Sequence, residues 1–166
     1  MIVRPANLDD VPVLMALEKD SPTAAHWPSA RYEDAIRNFS PRRLVMVIED
    51  ESNILGFIVA CAAETTDTHE WEIENIVVAS AAWRRGLGAR LLGGLLNAAP
   101  KGKNAVFFLE VRESNRAARA LYEKFHFVED GRRPRYYQQP QEDAILYRLA
   151  LKSVGKGRIQ TVHDSS

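Results

Sequence analysis

Hydrophobic and polar positions along the chain follow two periods, and together they predict a mixed α/β fold. Leucines at positions 87, 91, 92 and 95 repeat at helical spacing, as do Val11 and Leu14. Segments beginning at Ser29 and near Ser114 show the same spacing, so we expect about four helices. Runs rich in β-branched and aromatic residues predict about seven strands: "MIVRPA", "RLVMVIED", "ILGFIVACAAE", "WEIENIVVA", "AVFFLEV", "FVEDGRRPRYY" and "EDAILYRLAL".

Polar residues before the helical segments predict where helices begin. Asn7 or Asp9 can cap the first helix and Ser114 the last, because their side-chain oxygens accept N–H groups of the first turn. Pro100 ends the third helix. Neither a repeat nor a change of composition marks a boundary, so we expect one domain over residues 1–151 and a flexible tail over 152–166.

Composition excludes several classes of function. The chain has 166 residues, with Lys plus Arg and Asp plus Glu both numbering 22, so no net charge draws it to nucleic acid or to a membrane surface. A signal pattern and a long apolar span are both missing from the sequence, and a cytoplasmic protein is therefore expected. The four histidines show no metal-ligand spacing, and we expect no metal.

The stretch "WRRGLGARLL" places two glycines and two arginines where a helix begins. The first N–H groups of a helix have no internal partner, and glycines let a ligand approach the backbone, so this turn can bind an anion. The spacing fits neither a Walker loop nor a dinucleotide fingerprint. A helix that merely starts at a glycine-bearing turn, with its arginines in solvent, is the other interpretation.

The longer segment "VVASAAWRRGLGARLL" closely resembles the coenzyme-binding motif of the GNAT superfamily of N-acetyltransferases. The resemblance implies a central mixed, mostly antiparallel sheet and acetyl-CoA as co-substrate. It also implies that the turn holds the coenzyme pyrophosphate. Trp83 departs from the Gln or Arg that usually begins the motif. The residues implied for the pyrophosphate are Arg84, Arg85, Gly86, Leu87, Gly88 and Ala89.

Two residues stand out for chemistry. Glu110 is the one charge on the apolar strand "AVFFLEV". A carboxylate there either ends the strand at the solvent rim or sits in a cleft with a perturbed pKa. Tyr122 shares a helix face with Ala118 and Phe125, and its simplest interpretation is a core aromatic residue.

The segment "LEVRESNRAARALYEKFHFVEDGRRPRYY", followed by "EDAILYRLAL", resembles the GNAT subfamily that acetylates ribosomal-protein alanine. The resemblance implies that Glu110 is the general base and Tyr122 the general acid. His126 departs from the family, which usually has glycine there. The implied coenzyme contacts are Asn115 and the backbone of Ile76, Val77 and Val78, and the implied peptide contacts are Tyr136 and Tyr137.

These resemblances predict an acetyl-CoA-dependent N-acetyltransferase that acts on the N-terminal α-amine of a protein, such as a ribosomal protein. A GNAT enzyme acting on a small-molecule amine is the nearest alternative, and a non-catalytic CoA-binding module is another. His26, Trp27 and Pro28 are candidates for one edge of the acceptor site. The sequence does not identify the acceptor.

Overall fold

A computed structural model describes residues 1–21, 24–37, 43–64, 68–98, 104–154 and 158–161. The predicted class, α/β with a mostly antiparallel sheet, is confirmed, and the described residues form eight strands and four α-helices. The strands are β1 (Ile2–Pro5), β2 (Arg43–Asp50), β3 (Asn53–Glu64), β4 (Thr68–Val78), β5 (Asn104–Arg112), β6 (Val128–Gln138), β7 (Gln141–Val154) and β8 (Arg158–Thr161). The helices are α1 (Val11–Lys19), α2 (Ser29–Arg37), α3 (Leu87–Ala98) and α4 (Arg116–Lys124).

The chain divides into two compact units. The N-terminal unit comprises Met1–Ala62 and Ile73–Ala99, and the C-terminal unit comprises Ala63–Glu72 and Pro100–Ser166. The single domain predicted over residues 1–151 stays a prediction.

The N-terminal unit packs its helices on a sheet in which β1, β2, β3 and β4 are successive neighbours. The pairings of β2 with β1 and with β3 are antiparallel. Helix α3 packs against β1 and β2, and α2 packs against β2 and α1. The Tyr32 ring lies in the core, 5.3 Å from the ring of Trp27 and 5.8 Å from that of Phe57.

A buried carboxylate organises the connection between α1 and α2. Glu18 is 2% exposed, and it accepts hydrogen bonds from the Trp27 backbone N–H at 2.8 Å and the Asn75 amide at 2.6 Å. Trp27 is itself buried, and the guanidinium of Arg31 lies 3.8 Å from its ring centroid. Trp27, a candidate for the edge of the acceptor site, is therefore a core residue.

The C-terminal unit is built on the neighbour order β4, β5, β7 and β6, with β8 paired to β7. Strand β7 pairs antiparallel with β5, β6 and β8. Residues 152–154 and 158–161 are therefore in strands, where the sequence predicts a flexible tail. The rest of that predicted tail, 155–157 and 162–166, lies outside the described residues.

The structure assigns the helix caps more definitely than the sequence does. Asn7 caps a single 3-10 turn, Leu8–Asp10, which leads into α1. Asn115, not Ser114, caps α4, and its side-chain oxygen accepts the Ala118 N–H at 3.1 Å. Ser114 lies one residue before the cap position, and its hydroxyl donates to Glu142 at 3.1 Å. Pro100, the predicted end of α3, lies outside the described residues.

Candidate active site

The connection from β4 to α3 in the N-terminal unit forms the turn predicted to bind an anion. The backbone passes through a 3-10 turn, Ser80–Ala82, and then reverses. Arg84 and Gly86 both have positive φ, 62° and 74°. That conformation favours glycine, which explains one of the two glycines in the motif. Gly88 lies within α3 and does not have a positive φ.

The first turn of α3 supplies backbone donors at this point. The first hydrogen bond of the helix joins the Arg90 N–H to the Gly86 carbonyl at 3.1 Å. The N–H groups of the residues just before Arg90 therefore have no partner within the helix, as at any helix N-terminus. Arg84 and Arg85 are exposed beside them, and Arg85 lies 3.8 Å from Asp50. This arrangement can bind a phosphate group through backbone donors and guanidinium groups.

Trp83 ties this turn to the end of β4. Its indole N–H donates to the Val78 carbonyl at 2.8 Å, while the residue is 58% exposed. The side chain that departs from the family pattern therefore makes a contact within the protein. The strand residues Ile76 and Val78 are half-buried, and Val77 is buried.

Gly56 on β3 lies against the strand residues implied for the coenzyme, and the sequence analysis did not single it out. A β-carbon placed there would stand 2.6 Å from the Val77 carbonyl oxygen and 3.2 Å from the Val78 Cα. Real side chains essentially never approach a backbone oxygen that closely. Glycine at position 56 thus allows β3 to support β4 where the coenzyme is expected. The only sequence signal was a glycine inside an apolar strand pattern.

Glu110 lies near the end of β5 in the C-terminal unit. Its side chain is 23% exposed, and its Oε1 lies 3.0 Å from Nη1 of Arg133 on β6. The carboxylate is therefore half-buried and has a cationic partner. Arg133 is a second residue that sequence analysis missed.

Tyr122 is buried on α4, as its helical spacing predicts. It is 4% exposed, and its ring centroid lies 5.7 Å from that of Phe127 and 6.0 Å from that of Tyr147. Burial, with a smaller effect from Tyr137, raises the pKa of the Tyr122 phenol well above its usual value. The phenol therefore keeps its proton at neutral pH and can act only as an acid.

The ring behind Tyr122 is held by a polar network. The Tyr147 hydroxyl donates to Glu123 at 2.8 Å and accepts from Nε of Arg119 at 3.1 Å. Glu123 and Arg119 both lie on α4, so these bonds fasten the helix to β7. They fix the ring against which Tyr122 packs.

Tyr136 and Tyr137 pack edge to face, with ring centroids 5.1 Å apart. Tyr136 is exposed and Tyr137 is half-buried. The negative charge of Glu110, and then a hydrogen bond to the same carboxylate, raise the pKa of the Tyr136 phenol. Arg112 lies over the Tyr137 ring, 4.2 Å from its centroid. The two tyrosines thus border the carboxylate that the sequence proposes as the base.

Asn115 and His126 lie at the two ends of α4. The Asn115 side-chain oxygen is used in capping, so its amide nitrogen is the group that could contact a coenzyme. His126 has φ of 66°, the left-handed conformation that the family's usual glycine adopts without strain.

The structure brings some predicted residues together. Glu110, Tyr122, Tyr136 and Tyr137 lie in the C-terminal unit with Asn115, and the predicted turn and strand residues lie in the N-terminal unit. Among the described residues, we find neither a group of three potential metal ligands nor a helix long and apolar enough to cross a membrane.

Comparison with known proteins identifies the family. The sequence model of the Acetyltransferase (GNAT) family matches residues 12–127. The N-alpha-acetyltransferase RimI of Mycobacterium tuberculosis is 34% identical over 122 residues, which cover 74% of each chain. An uncharacterized Mycobacterium leprae protein has the same identity over 122 residues, or 74% of this chain, and the match spans 33% of that protein's length.

A solved structure agrees with these matches. The crystal structure of the ribosomal-protein-S18-alanine N-acetyltransferase from Escherichia coli has a TM-score of 0.74 and 29% identity. The match covers 95% of this chain and 97% of that chain. The resemblance predicted from the sequence is confirmed, and with it the predicted enzyme class, an acetyl-CoA-dependent N-acetyltransferase.

Proposed function

The chain belongs to the Acetyltransferase (GNAT) family, and on this premise we propose that it acetylates the N-terminal α-amine of a protein. Relatives named as an N-alpha-acetyltransferase and as a ribosomal-protein-S18-alanine N-acetyltransferase support this acceptor class. A ribosomal protein beginning with alanine is the acceptor that we infer. An enzyme with such a substrate would meet it in the cytoplasm.

The observation that carries the proposal is the pair of Glu110 and Tyr122 in the C-terminal unit. Glu110 presents a half-buried carboxylate, and Tyr122 presents a buried phenol that stays protonated. Tyr137 interacts electrostatically with both groups. A carboxylate that can accept a proton and a phenol that keeps its own are the groups that a direct acetyl transfer to an amine requires.

In the proposed reaction the acceptor nitrogen attacks the thioester carbonyl carbon. The C–S bond breaks, its electron pair goes to sulfur, and the products are an acetamide and the CoA thiol. Glu110 takes the proton that nitrogen loses, directly or through water. Tyr122 gives its proton to the departing sulfur.

Proton affinities favour an α-amine over a lysine side chain. An α-amine has a pKa of about 7.7–8.0, so exposing its neutral form at pH 7 costs about 1 kcal/mol. A lysine amine, with a pKa of about 10.4, would cost nearly 5 kcal/mol. A single carboxylate base is therefore sufficient when the acceptor is an N-terminal α-amine.

The Tyr122 step is uphill. A thiol resembling cysteine has a pKa of about 8.5, and an ordinary tyrosine about 10, so the transfer costs at least about 2 kcal/mol. Burial of Tyr122 increases that cost, because its pKa is raised. The same burial keeps water away from the phenol. It also ensures that the proton is present when the thiolate forms.

We assign the coenzyme contacts to the residues that the family motif marks. The backbone of Ile76, Val77 and Val78 would pair with the pantetheine arm. The turn at 84–89 would hold the pyrophosphate through its N–H groups and guanidinium groups. Asn115 would contribute its amide nitrogen. Tyr136 and Tyr137 would border the acceptor peptide.

A panel of acceptors tests the proposal. The enzyme is incubated with acetyl-CoA and each of four amines: an alanine-initiated peptide, a methionine-initiated peptide, an N-terminally blocked peptide with one lysine, and spermidine. Mass spectrometry then locates the acetyl group. Labelling of the alanine α-amine at the highest kcat/KM supports the proposal. Labelling of only the lysine or only spermidine overturns it in favour of a side-chain or small-amine acetyltransferase.

A further inference from the structure

Arg133 is the cationic partner of the carboxylate proposed as the base. Its Nη1 lies 3.0 Å from Oε1 of Glu110, and its side chain is 55% exposed. The guanidinium carbon also lies 5.5 Å from the ring centroid of Tyr136. The arginine side chain is therefore much more exposed to solvent than that of Glu110, which is 23% exposed.

An irregularity in β6 brings Arg133 and Tyr136 to the same carboxylate. In a regular strand, residues three apart point to opposite faces. Here Arg133 pairs with Ala144 and Tyr137 pairs with Glu142, so a step of four residues along β6 corresponds to a step of only two along β7. Arg135, inside this shift, has φ of 54°. The shift lets both side chains reach Glu110.

Among the described residues, Arg133 is the cation paired with Glu110, and Tyr136 and Tyr137 of β6 also interact with this carboxylate. The residue opposite Glu110 on β7 is the uncharged Leu146, and Arg148 lies two residues further along that strand. Arg112, two residues from Glu110 on β5, is paired with Glu142 at 2.9 Å. An unpaired carboxylate would attract a protonated amine and raise the pKa of that amine. The protonated amine has no lone pair, so a complex of that kind is unreactive.

We propose that Arg133 is a positioning residue that neutralises Glu110 until the acceptor nitrogen arrives, so that the acceptor binds as the neutral, nucleophilic amine. Arg133 then moves aside, and Glu110 is free to take the proton released after attack. This inference rests on the proposed function, because it assigns a partner to the proposed base. It applies to any amine acceptor, so it does not depend on which acceptor is correct.

The kinetics of Arg133→Gln test this role. Without the guanidinium, the bound amine faces an uncompensated carboxylate and is held more tightly, mostly as its ammonium form. At pH 7 we expect the acceptor KM and kcat both to fall, by about threefold if the pKa of the bound amine rises by about half a pH unit. The midpoint of the rise of kcat with pH should move upward by that amount. Arg133→Lys keeps the charge and should restore the wild-type midpoint.

Arg132→Gln is the matched control. Arg132 is the neighbouring residue on β6, and it pairs with Glu113 at 2.9 Å and Asp143 at 3.2 Å rather than with Glu110. This variant should keep the wild-type midpoint. Thermal denaturation of all three variants reports whether each is folded. If Arg133→Gln is unfolded, Arg133→Met and the Arg133→Lys comparison take its place.

Each outcome decides the question. A kcat that falls equally at every pH, with an unmoved midpoint, would make Arg133 a merely structural residue and overturn the inference. The comparison uses whichever acceptor of the panel the wild type acetylates best. If the wild type prefers the lysine peptide or spermidine, the proposed acceptor is wrong, but the role of Arg133 can still be tested with the preferred amine. A wild-type enzyme that acetylates none of the four would overturn both proposals.

Discussion

The indole N–H of Trp83 donates a hydrogen bond to the backbone carbonyl of Val78 at 2.8 Å. This bond joins the end of β4 to the turn before α3, the two segments that we propose hold the pantetheine and the pyrophosphate. An aromatic residue at this position therefore connects the two segments from within the protein.

Removing this hydrogen bond should weaken coenzyme binding. Trp83→Phe keeps a ring and removes the donor. The loss of one such bond, about 0.5–1.5 kcal/mol, predicts a KM for acetyl-CoA that is roughly twofold to tenfold higher. The acceptor KM should stay the same. An unchanged acetyl-CoA KM would show that the bond does not position the turn.

Trp83 also allows a direct binding measurement. Trp27 and Trp71 are 6% and 5% exposed, whereas Trp83 is 58% exposed, so acrylamide should quench mainly Trp83. Saturating CoA should lower the quenching constant toward that of Trp83→Phe. Equal quenching with and without CoA, at concentrations that saturate activity, would place the coenzyme away from this turn.

The close approach of β3 to β4 gives a prediction about Gly56. Gly56→Ala places a β-carbon 2.6 Å from the Val77 carbonyl, so the strands must separate. We expect a lower Tm and a higher KM for acetyl-CoA. Gly131→Ala is the control, because a β-carbon there meets nothing within 4 Å. Equal KM values for both variants would remove Gly56 from the coenzyme site.

Tyr122→Phe tests the acid. We expect kcat to fall by about two orders of magnitude, within the range for general acid–base groups. Burial raises the pKa of the Tyr122 phenol, so the wild type should retain its acid as pH rises to about 10. Raising the pH should not rescue the variant, because its defect falls on the leaving thiolate. Recovery of kcat at pH 9 would indicate that Tyr122 removes a proton from the acceptor amine instead.

The sequence predicted the elements of the fold and the main candidates because each has a local signal. The strand pattern around Glu110 and the helical spacing around Tyr122 depend on near neighbours in the chain. The glycine turn before α3 was visible for the same reason. The family resemblance then attached roles to these residues, and those roles stay predictions.

Contacts between residues that are distant in the sequence leave no local pattern from which they could be predicted. Arg133 reaches Glu110 because β6 is irregular, and an irregularity cannot be read from alternation of residue types. Ser114 is a residue type that caps helices, but α4 begins one residue later than the sequence suggests, so Asn115 is the cap and the Ser114 hydroxyl donates to Glu142. Trp27 was a candidate for the edge of the acceptor site, but its side chain is buried in the core and its backbone N–H donates to Glu18, distant in sequence.

The central claim is that Glu110 takes the proton from the acceptor nitrogen, and single-turnover kinetics of Glu110→Gln measure this directly. Glutamine keeps the shape but cannot accept that proton. With the enzyme in excess over acetyl-CoA and the alanine-initiated peptide saturating at pH 7, we expect the rate to fall by about two orders of magnitude or more. The deficit should persist at pH 9, where the α-amine is mostly neutral, because the nitrogen still has to lose a proton after attack. Glu113→Gln, which alters an exposed carboxylate paired with Arg132, should retain the wild-type rate. A wild-type rate for Glu110→Gln at pH 7 would contradict the account.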